Sequence, residues 1–224
     1  GGLGEVVAQC KDGRCQNVRF RNVPCYVVQL DAVVEVAGLG SVNCDIAYGG
    51  AFFAIVDAPS LGFAIVPDEA RELVETGERI KAAAVEQNPG GHPENPGIHT
   101  ITFTEFTAPL AKDDTGRTVG RNTVVISPGK LDRSPCGTGS SARLAVLHAR
   151  GQIGLDESFV SQSVLGTEFH CGVADVGEIA GQPAITPSIR GRAWITGSHQ
   201  YSLDPDDPFS EGYTLSDTWY RALD

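Results

Sequence analysis

A cysteine at the start of a glycine-rich turn is the residue of this sequence best suited to chemistry. Cys136 is followed by Gly-Thr-Gly-Ser-Ser and then by the apolar segment 142–149, which predicts a buried helix. The first backbone N–H groups of a helix have no partner within it, so they can bind an anion such as a carboxylate or a phosphate. The helix dipole also lowers the pKa of a nearby thiol, and we therefore expect Cys136 to be a thiolate near neutral pH.

A carboxylate four residues earlier adds a second charged group. Asp132 is close enough to Cys136 along the chain to bind a cationic group beside the thiol. A thiolate, an anion-binding turn and a carboxylate together suit a small zwitterion such as an amino acid. Two other interpretations stay open from these residues alone. Cys136 could be a buried structural thiol, or the nucleophile of a Cys–His hydrolase, although no local motif joins it to any of the five histidines.

The elements that must hold these residues are mostly strands. Residues 5–35 are rich in β-formers with period-two alternation and contain a turn at Asp12-Gly13, which predicts a hairpin. Further strands are predicted at 34–36, 41–47, 51–56, 99–107, 122–127, 159–165, 168–173 and 192–196.

One longer helix is predicted besides the buried one. In segment 67–87 the residues Leu73, Ile80 and Ala84 form an apolar stripe, so this helix should be amphipathic and pack on a sheet. Segment 111–120 is predicted to be a polar loop, and a short helix is expected around Trp219.

Composition and charge argue against several classes of protein. The chain has 224 residues, 41% of them hydrophobic, which is enough to bury a core. Its formal net charge is −11 without a basic stretch, which disfavours nucleic-acid binding, and no apolar run reaches the length of a membrane span. The six cysteines lack metal-binding spacing, although a hairpin disulfide between Cys10 and Cys15 is conceivable. We expect reduced thiols in a cytoplasmic protein without a metal site.

A longer segment around the cysteine is similar to a known family. Asp132-Arg-Ser-Pro-Cys136-Gly-Thr-Gly-Ser-Ser-Ala142 resembles the signature around the second catalytic cysteine of the proline racemase family. That family includes proline racemase, 4-hydroxyproline 2-epimerase and the 3-hydroxyproline dehydratases. Other segments that look like parts of the family follow in order along the chain, at 22–24, 45–50, 163–166, 191–197 and 204–209.

The resemblance implies a fold and a reaction. The implied fold is α+β and diaminopimelate epimerase-like, with pseudo-symmetric lobes that each place a curved mixed β-sheet around a central helix. The implied reaction needs no cofactor: one cysteine thiolate removes the Cα proton of a proline-like substrate, and a second, protonated cysteine returns a proton on the opposite face. The resemblance also implies a homodimer. Its implied substrate is a small molecule, proline or hydroxyproline.

The family's functional residues can be carried over position by position. By this resemblance Cys136 is one acid/base, and the backbone amides of Gly137 and Thr138 bind the substrate carboxylate. Asp132 receives the substrate ammonium group. His99 lies near where hydroxyproline epimerases keep a histidine at the ring end of the site.

The substrate that we expect is 4-hydroxyproline, or else proline, inverted at Cα. Ile126 lies where racemases acting on plain proline tend to have a bulky aromatic residue, so its smaller side chain favours a hydroxylated ring. Two alternatives stay open: a trans-3-hydroxy-L-proline dehydratase and a non-catalytic amino-acid-binding fragment. Dehydratases of the family often replace the signature cysteine with threonine, whereas Cys136 is retained.

The start of the chain departs from the family pattern. The sequence contains no Met, and the Met-Cys-Gly-His type motif that carries the family's first catalytic cysteine is not found in it. We therefore expect the chain to correspond to the C-terminal two-thirds of a family member. The expected parts are 1–39 as the remainder of an N-terminal lobe, 40–212 as a C-terminal lobe with Cys136 and its central helix, and 213–224 as a tail that packs back on the first lobe.

Overall fold

The computed structural model describes residues 4–88 and 90–213. Its contacts divide the chain into a first unit, Gly1–Arg192, and a second unit, Ala193–Asp224. The first unit contains all helices and strands of the described residues, and 193–213 in the second unit form turns and irregular chain. The helix predicted around Trp219 lies outside the described residues, as does nearly all of the predicted tail.

The first unit is a mixed β-sheet with two α-helices. In the described residues the strands are β1 (Glu5–Lys11), β2 (Arg14–Arg21), β3 (Tyr26–Val36), β4 (Gly40–Tyr48), β5 (Phe52–Asp57), β6 (Ile101–Thr107), β7 (Ala111–Lys112), β8 (Thr118–Ile126), β9 (Lys130–Leu131), β10 (Ser158–Gln162), β11 (Glu168–Ile179) and β12 (Gln182–Gly191), and the helices are α1 (Ala70–Gln87) and α2 (Gly137–Ala149). The strand order is β1-β2-β12-β11-β10-β8-β6-β5-β4-β3, and β7 and β9 both pair with β8. The pairs β5–β6 and β8–β10 are parallel, whereas the others are antiparallel.

The sheet curls until its strands surround α2. Cys25, just before β3, exchanges two backbone hydrogen bonds of 2.8 Å with Ile185 of β12, so β3 at the end of the order returns to β12. Every residue of α2 from Gly139 to Leu147 is buried. The predicted buried helix and the α+β mixed sheet around it are therefore confirmed.

Helix α1 lies on the outside of the sheet, as its pattern predicts. It packs against β6, β3 and β8, and its stripe of Leu73, Ile80 and Ala84 is fully buried. Thr104 of β6 donates a hydrogen bond of 2.8 Å to the carbonyl of Gly77, which fixes the helix on the strand. None of the helices in the described ranges is long and apolar enough to cross a bilayer.

The buried helix begins earlier than its apolar residues indicate. Helix α2 starts at Gly137 and not at Ala142. Its first backbone bond runs from Ser140 N–H to the Cys136 carbonyl over 2.9 Å, and the Ser140 hydroxyl donates to the Pro135 carbonyl. Glycine and serine are weak helix formers, but the surrounding sheet buries this turn and tertiary packing outweighs propensity.

The polar loop predicted at 111–120 is wrong in part. Residues 111–112 form β7, and β8 begins at Thr118 instead of Asn122. The Asp113 carboxylate accepts the backbone N–H groups of Thr115 and Arg117 at 3.0 and 2.9 Å, which closes a tight turn between the two strands. Such aspartate turns let a polar segment continue a strand pairing.

The strand predicted at 192–196 is wrong. The last strand of the described residues, β12, ends at Gly191, and residues 192–200 form neither helix nor strand. A strand needs a neighbour that pairs with its backbone, and the alternation of apolar residues alone does not supply one.

Strand β12 has no counterpart among the predicted strands. It contains two prolines, which are rare inside sheets because they cannot donate to the ladder. Pro187 is tolerated because it pairs with Val173 at the start of a β-bulge on β11. Proline beside a bulge is one of the few places where a sheet accepts it.

The hairpin predicted at the start of the chain is confirmed as β1 and β2. Cys10 and Cys15 are paired residues of this hairpin, yet both are free thiols and exposed. The conceivable disulfide is thus not formed. The expected boundary after residue 39 falls in the turn between β3 and β4, and the expected domain limits stay predictions.

The turn between β4 and β5 packs tightly on the first turn of α2. A Cβ on Gly49 would lie 2.1 Å from the Thr138 carbonyl oxygen and 2.6 Å from the Ala142 nitrogen. We expect Gly49→Ala to lower the free energy of unfolding by about 1–3 kcal/mol, because two backbone segments must separate. Urea denaturation followed by circular dichroism measures this. The control is Gly177→Ala, where a Cβ meets nothing within 4 Å; equal midpoints for the two variants would contradict the close packing.

Candidate active site

Cys136 occupies the N-cap position of α2. Its side-chain sulfur accepts the backbone N–H of Gly139 at 3.3 Å, and its own N–H donates to Ser134 Oγ at 3.1 Å. Its backbone φ is +58°, in the left-handed region that non-glycine residues seldom adopt. Such strain persists only where surrounding contacts hold it, and it is concentrated at functional sites.

Two backbone N–H groups at the start of the helix are available to bind an anion. The first helical bond is donated by Ser140, and Gly139 N–H is taken by the Cys136 sulfur. This leaves the N–H groups of Gly137 and Thr138 without a hydrogen-bond partner among residues 4–88 and 90–213. Both residues are half-buried, so a small carboxylate can reach the N–H groups beside the thiol.

Asp132 lies in the turn that leads to the cysteine. Its Oδ1 accepts the backbone N–H of Ser134 at 2.8 Å, and its own N–H donates to the Val124 carbonyl at 2.9 Å. Ser134 in turn accepts the N–H of Cys136, so carboxylate and thiol belong to one hydrogen-bonded turn. The second carboxylate oxygen accepts no hydrogen bond from the part of the chain that the structure describes, so it can bind a cationic group.

The thiol has a higher pKa than the sequence pattern suggests. Burial and, after it, the charge of Glu105 raise the pKa of Cys136 to about 12, and the N–H of Gly139 offsets them only in part. The expectation of a thiolate near neutral pH is therefore wrong for this structure. The physical reason is that the sheet around α2 removes water from the sulfur, and desolvation outweighs the helix N-terminus. Cys136 is a protonated thiol at neutral pH, which suits a proton donor.

A buried polar network lies under the cysteine turn. Asn122 Nδ2 donates to Glu105 Oε1 at 2.7 Å and to the Pro135 carbonyl at 2.8 Å. Its Oδ1 accepts from Ser161 Oγ at 3.0 Å, and Ser161 Oγ lies 2.9 Å from the hydroxyl oxygen of Ser140 in α2. Glu105 is fully buried. Burial raises the pKa of Glu105 to about 7 although Arg143 and Asn122 partly offset it.

The charge that faces Glu105 from α2 belongs to Arg143. Arg143 as a whole is only 4% exposed. Its guanidinium donates to the carbonyls of Arg121 and Ala108 and lies 5.4 Å from the Phe159 ring centroid. Burial lowers the pKa of Arg143, and Glu105 is the first charge that raises it. The two groups thus balance each other's charge inside the fold without a direct ion pair among the described residues.

Two of the segments singled out by the sequence converge on α2. Asn22 Nδ2 donates to the Gly49 carbonyl at 2.8 Å and to Ser141 Oγ at 3.0 Å. A Cβ on Gly50 would lie 3.1 Å from Thr138 Cγ2. The segments 22–24 and 45–50 therefore support the helix end that carries the cysteine.

The two residues expected to meet the substrate ring are placed differently. Ile126 packs against the apolar cluster that contains Cys136 and Val124. His99 is exposed and lies in the chain just before β6, not in a strand. No hydrogen bond joins His99 to Cys136 or Asp132 within the described ranges, and its role stays a prediction.

Sequence reasoning missed Glu105, Asn122 and Arg143. The signals for two of them are visible afterwards: Glu105 is the single charge in the strand Ile101–Thr107, and Arg143 the single charge in an otherwise apolar helix core. Charged residues are almost never fully buried unless they are paired. Two charged residues in buried elements therefore indicate that each has a buried polar or charged partner. The sequence does not show which residues those partners are.

The chain is similar to a known family and to solved structures. A sequence model of the family described as "Proline racemase" matches residues 1–214. A probable proline racemase from Agrobacterium radiobacter, crystallised with bound carbonate, is 40% identical with a TM-score of 0.84; the match covers 97% of this chain and 63% of that one. A hydroxyproline epimerase from Agrobacterium vitis, crystallised with bound trans-4-hydroxy-L-proline, is 41% identical with a TM-score of 0.84, over 97% and 61%.

These comparisons bear on the fold and on the extent of the chain. The similarity over almost the whole chain confirms the predicted α+β, diaminopimelate epimerase-like fold class. The chain spans less than two thirds of the length of both solved proteins.

Proposed function

The chain belongs to the proline racemase family, and from this premise we propose that it supplies one of the two cysteine acid/base groups of an amino-acid epimerase. The observation that carries the proposal is the turn 132–138, which combines a thiol, two free backbone amides and a carboxylate. For one bound amino acid, the thiol faces the Cα proton, the two amides bind the carboxylate, and the carboxylate of Asp132 pairs with the ammonium group.

Each group has a place in the proposed reaction. The substrate carboxylate accepts the N–H groups of Gly137 and Thr138, which also stabilise the charge that develops when Cα loses its proton. The ammonium group pairs with Asp132. The Cys136 thiol gives its proton to Cα on one face, after a thiolate on the opposite face has taken the original proton. Thiol and thiolate have then exchanged states, and the reverse reaction uses the same steps.

The protonation of the thiol supports the assignment of Cys136 as the acid. Burial raises its pKa to about 12, so the free site holds a proton that it can donate. The thiolate partner is proposed to come from the part of the relatives' length that this chain does not span. No metal or cofactor takes part in the proposed steps.

The proposed substrate is 4-hydroxyproline, with proline as the second candidate. A relative that is 41% identical is a hydroxyproline epimerase with bound trans-4-hydroxy-L-proline. Ile126 packs against the cluster that contains Cys136. We propose that its modest size, compared with a bulky aromatic residue, favours a hydroxylated ring. His99 is proposed to lie at the ring end. A homodimer in the cytoplasm completes the proposal, and the six free cysteines suit a reducing compartment.

Proton exchange tests the proposed activity. We expect the full-length protein, incubated with trans-4-hydroxy-L-proline in D₂O, to yield cis-4-hydroxy-D-proline. The product should carry deuterium at Cα, which NMR detects. Deuterium enters because the acid that reprotonates Cα is not the base that removed the proton. L-proline and trans-3-hydroxy-L-proline are the comparison substrates.

Each other outcome has a definite meaning. A pyrroline product from the 3-hydroxy compound alone would replace the epimerase by a dehydratase. Binding of trans-4-hydroxy-L-proline without exchange at Cα would leave a non-catalytic amino-acid-binding protein. The second result is favoured for the 224-residue chain by itself, because it spans only 61–63% of the length of its solved relatives.

A further inference from the structure

The fully buried carboxyl of Glu105 lies next to the sulfur of Cys136. Gly139 separates them: a Cβ on this glycine would lie 3.2 Å from both the Glu105 carboxyl carbon and the Cys136 sulfur. The two groups are therefore within about 6.5 Å of each other, close to the range over which a like charge disfavours ionisation. Glycine at 139 is what permits this approach, since any side chain there would occupy the space between them.

A hydrogen-bonded path also joins the two residues. One amide, Asn122 Nδ2, donates to Glu105 Oε1 and to the carbonyl of Pro135, whose peptide bond leads into Cys136. The carboxylate therefore helps to hold the turn in which Cys136 keeps its positive φ. Glu105 Oε2 is buried without a hydrogen-bond partner in the described part of the chain.

We propose that Glu105 is a positioning residue that controls when the Cys136 thiol can lose its proton, through its charge and through Asn122. The inference rests on the proposed function, in which the Cys136 proton is the one given to Cα. Its test, however, needs no catalytic turnover.

The charges around Glu105 make its ionisation sensitive to pH near neutrality. Arg143 faces it from α2 and favours the carboxylate, whereas Cys136 from the helix start and Cys171 from β11 disfavour a second negative charge. With burial included, the pKa of Glu105 is raised to about 7. Below this pH the carboxyl is neutral and the thiol ionises more readily, and above it the carboxylate opposes the thiolate. The two groups thus titrate as a coupled pair.

Alkylation of Cys136 measures this coupling directly. Trypsin releases Cys136 on the peptide 134–143, which contains no other cysteine, and Cys15 on the peptide 15–19. Rates of iodoacetamide labelling, followed by mass spectrometry in the intact chain, give the ratio of Cys136 to the exposed Cys15 at each pH. We expect Glu105→Gln, which keeps the acceptor for Asn122, to match the wild type below about pH 6. Above about pH 8 its Cys136 should react roughly tenfold faster, one unit of pKa.

A matched variant and the wild type complete the test. Glu86→Gln makes the same change of net charge at an exposed position of α1 and should alter neither rate. In the wild type the logarithm of the Cys136 rate should rise with pH, rise only about half as steeply between about pH 7 and 8, and then steepen again; we call this interval the shelf. This shelf decides the question if Glu105→Gln fails to fold by circular dichroism. A ratio between variant and wild type that does not change with pH, or a wild-type curve without a shelf, overturns the proposal.

The test also separates this inference from the proposed function. The shelf together with a protein that does not exchange the Cα proton would retain the Glu105–Cys136 coupling and reject the epimerase. Exchange at Cα without a shelf would do the opposite.

Discussion

Cys136→Ser is expected to abolish epimerisation by the full-length protein, with kcat falling by roughly 10³-fold or more. A serine hydroxyl holds its proton far more tightly than a thiol, so neither direction of the two-base reaction has its acid or its base. The backbone amides of Gly137 and Thr138 and the carboxylate of Asp132 are unchanged by this substitution. KM should therefore change much less than kcat, because the loss concerns the transition state and not the binding of substrate.

The matched control is Cys15→Ser, which makes the same change at an exposed cysteine of the β1–β2 hairpin. Its kcat should equal that of the wild type. Deuterium exchange at Cα by NMR measures both variants, and thermal unfolding checks that they are folded. Retention of more than a tenth of the wild-type kcat by Cys136→Ser would remove this residue from the proposed chemistry.

Local periodicity explains which parts of the fold could be predicted. The stripe of α1 and the apolar run of α2 each identify a helix and the surface that it buries, and both are confirmed. The start of α2 at Gly137 could not be predicted, because glycine and serine resist helix formation unless a sheet encloses them. Strand β12 accommodates Pro187 because its neighbour β11 has a bulge there. The sequence of β12 alone does not show which strand it pairs with, so this strand could not be predicted.

The same distinction applies to the site. The sequence places Cys136, Gly137, Thr138 and Asp132 in one turn, since they are adjacent in the chain. The sequence predicts a lowered pKa for the thiol, but the structure raises it. The helix N-terminus is a local effect that the sequence shows, whereas burial and the charge of Glu105 come from elsewhere in the fold. The bond between Glu105 and Asn122 spans two strands and can be seen only once β6 and β8 are paired.

Asp132→Asn is the substitution that isolates the proposed recognition of the ammonium group. Asparagine keeps a side-chain oxygen for the N–H of Ser134, so the turn before Cys136 should stay closed and the free energy of unfolding should change little. The variant lacks the negative charge, and we expect kcat/KM for trans-4-hydroxy-L-proline to fall by roughly 10²-fold, the worth of one charge-assisted contact of about 2–3 kcal/mol.

A ligand without the ammonium group shows whether that loss comes from the charge pair. Cyclopentanecarboxylate offers a carboxylate to Gly137 and Thr138 but nothing to Asp132. Its affinity, measured by calorimetry, should therefore be no weaker for Asp132→Asn than for the wild type, while the affinity for the amino acid falls. Asp114→Asn, at an exposed position of the β7–β8 turn, is the control and should affect neither ligand. If both ligands weaken equally in Asp132→Asn, the carboxylate maintains the shape of the turn and does not bind the ammonium group, because only a direct charge pair distinguishes the two ligands.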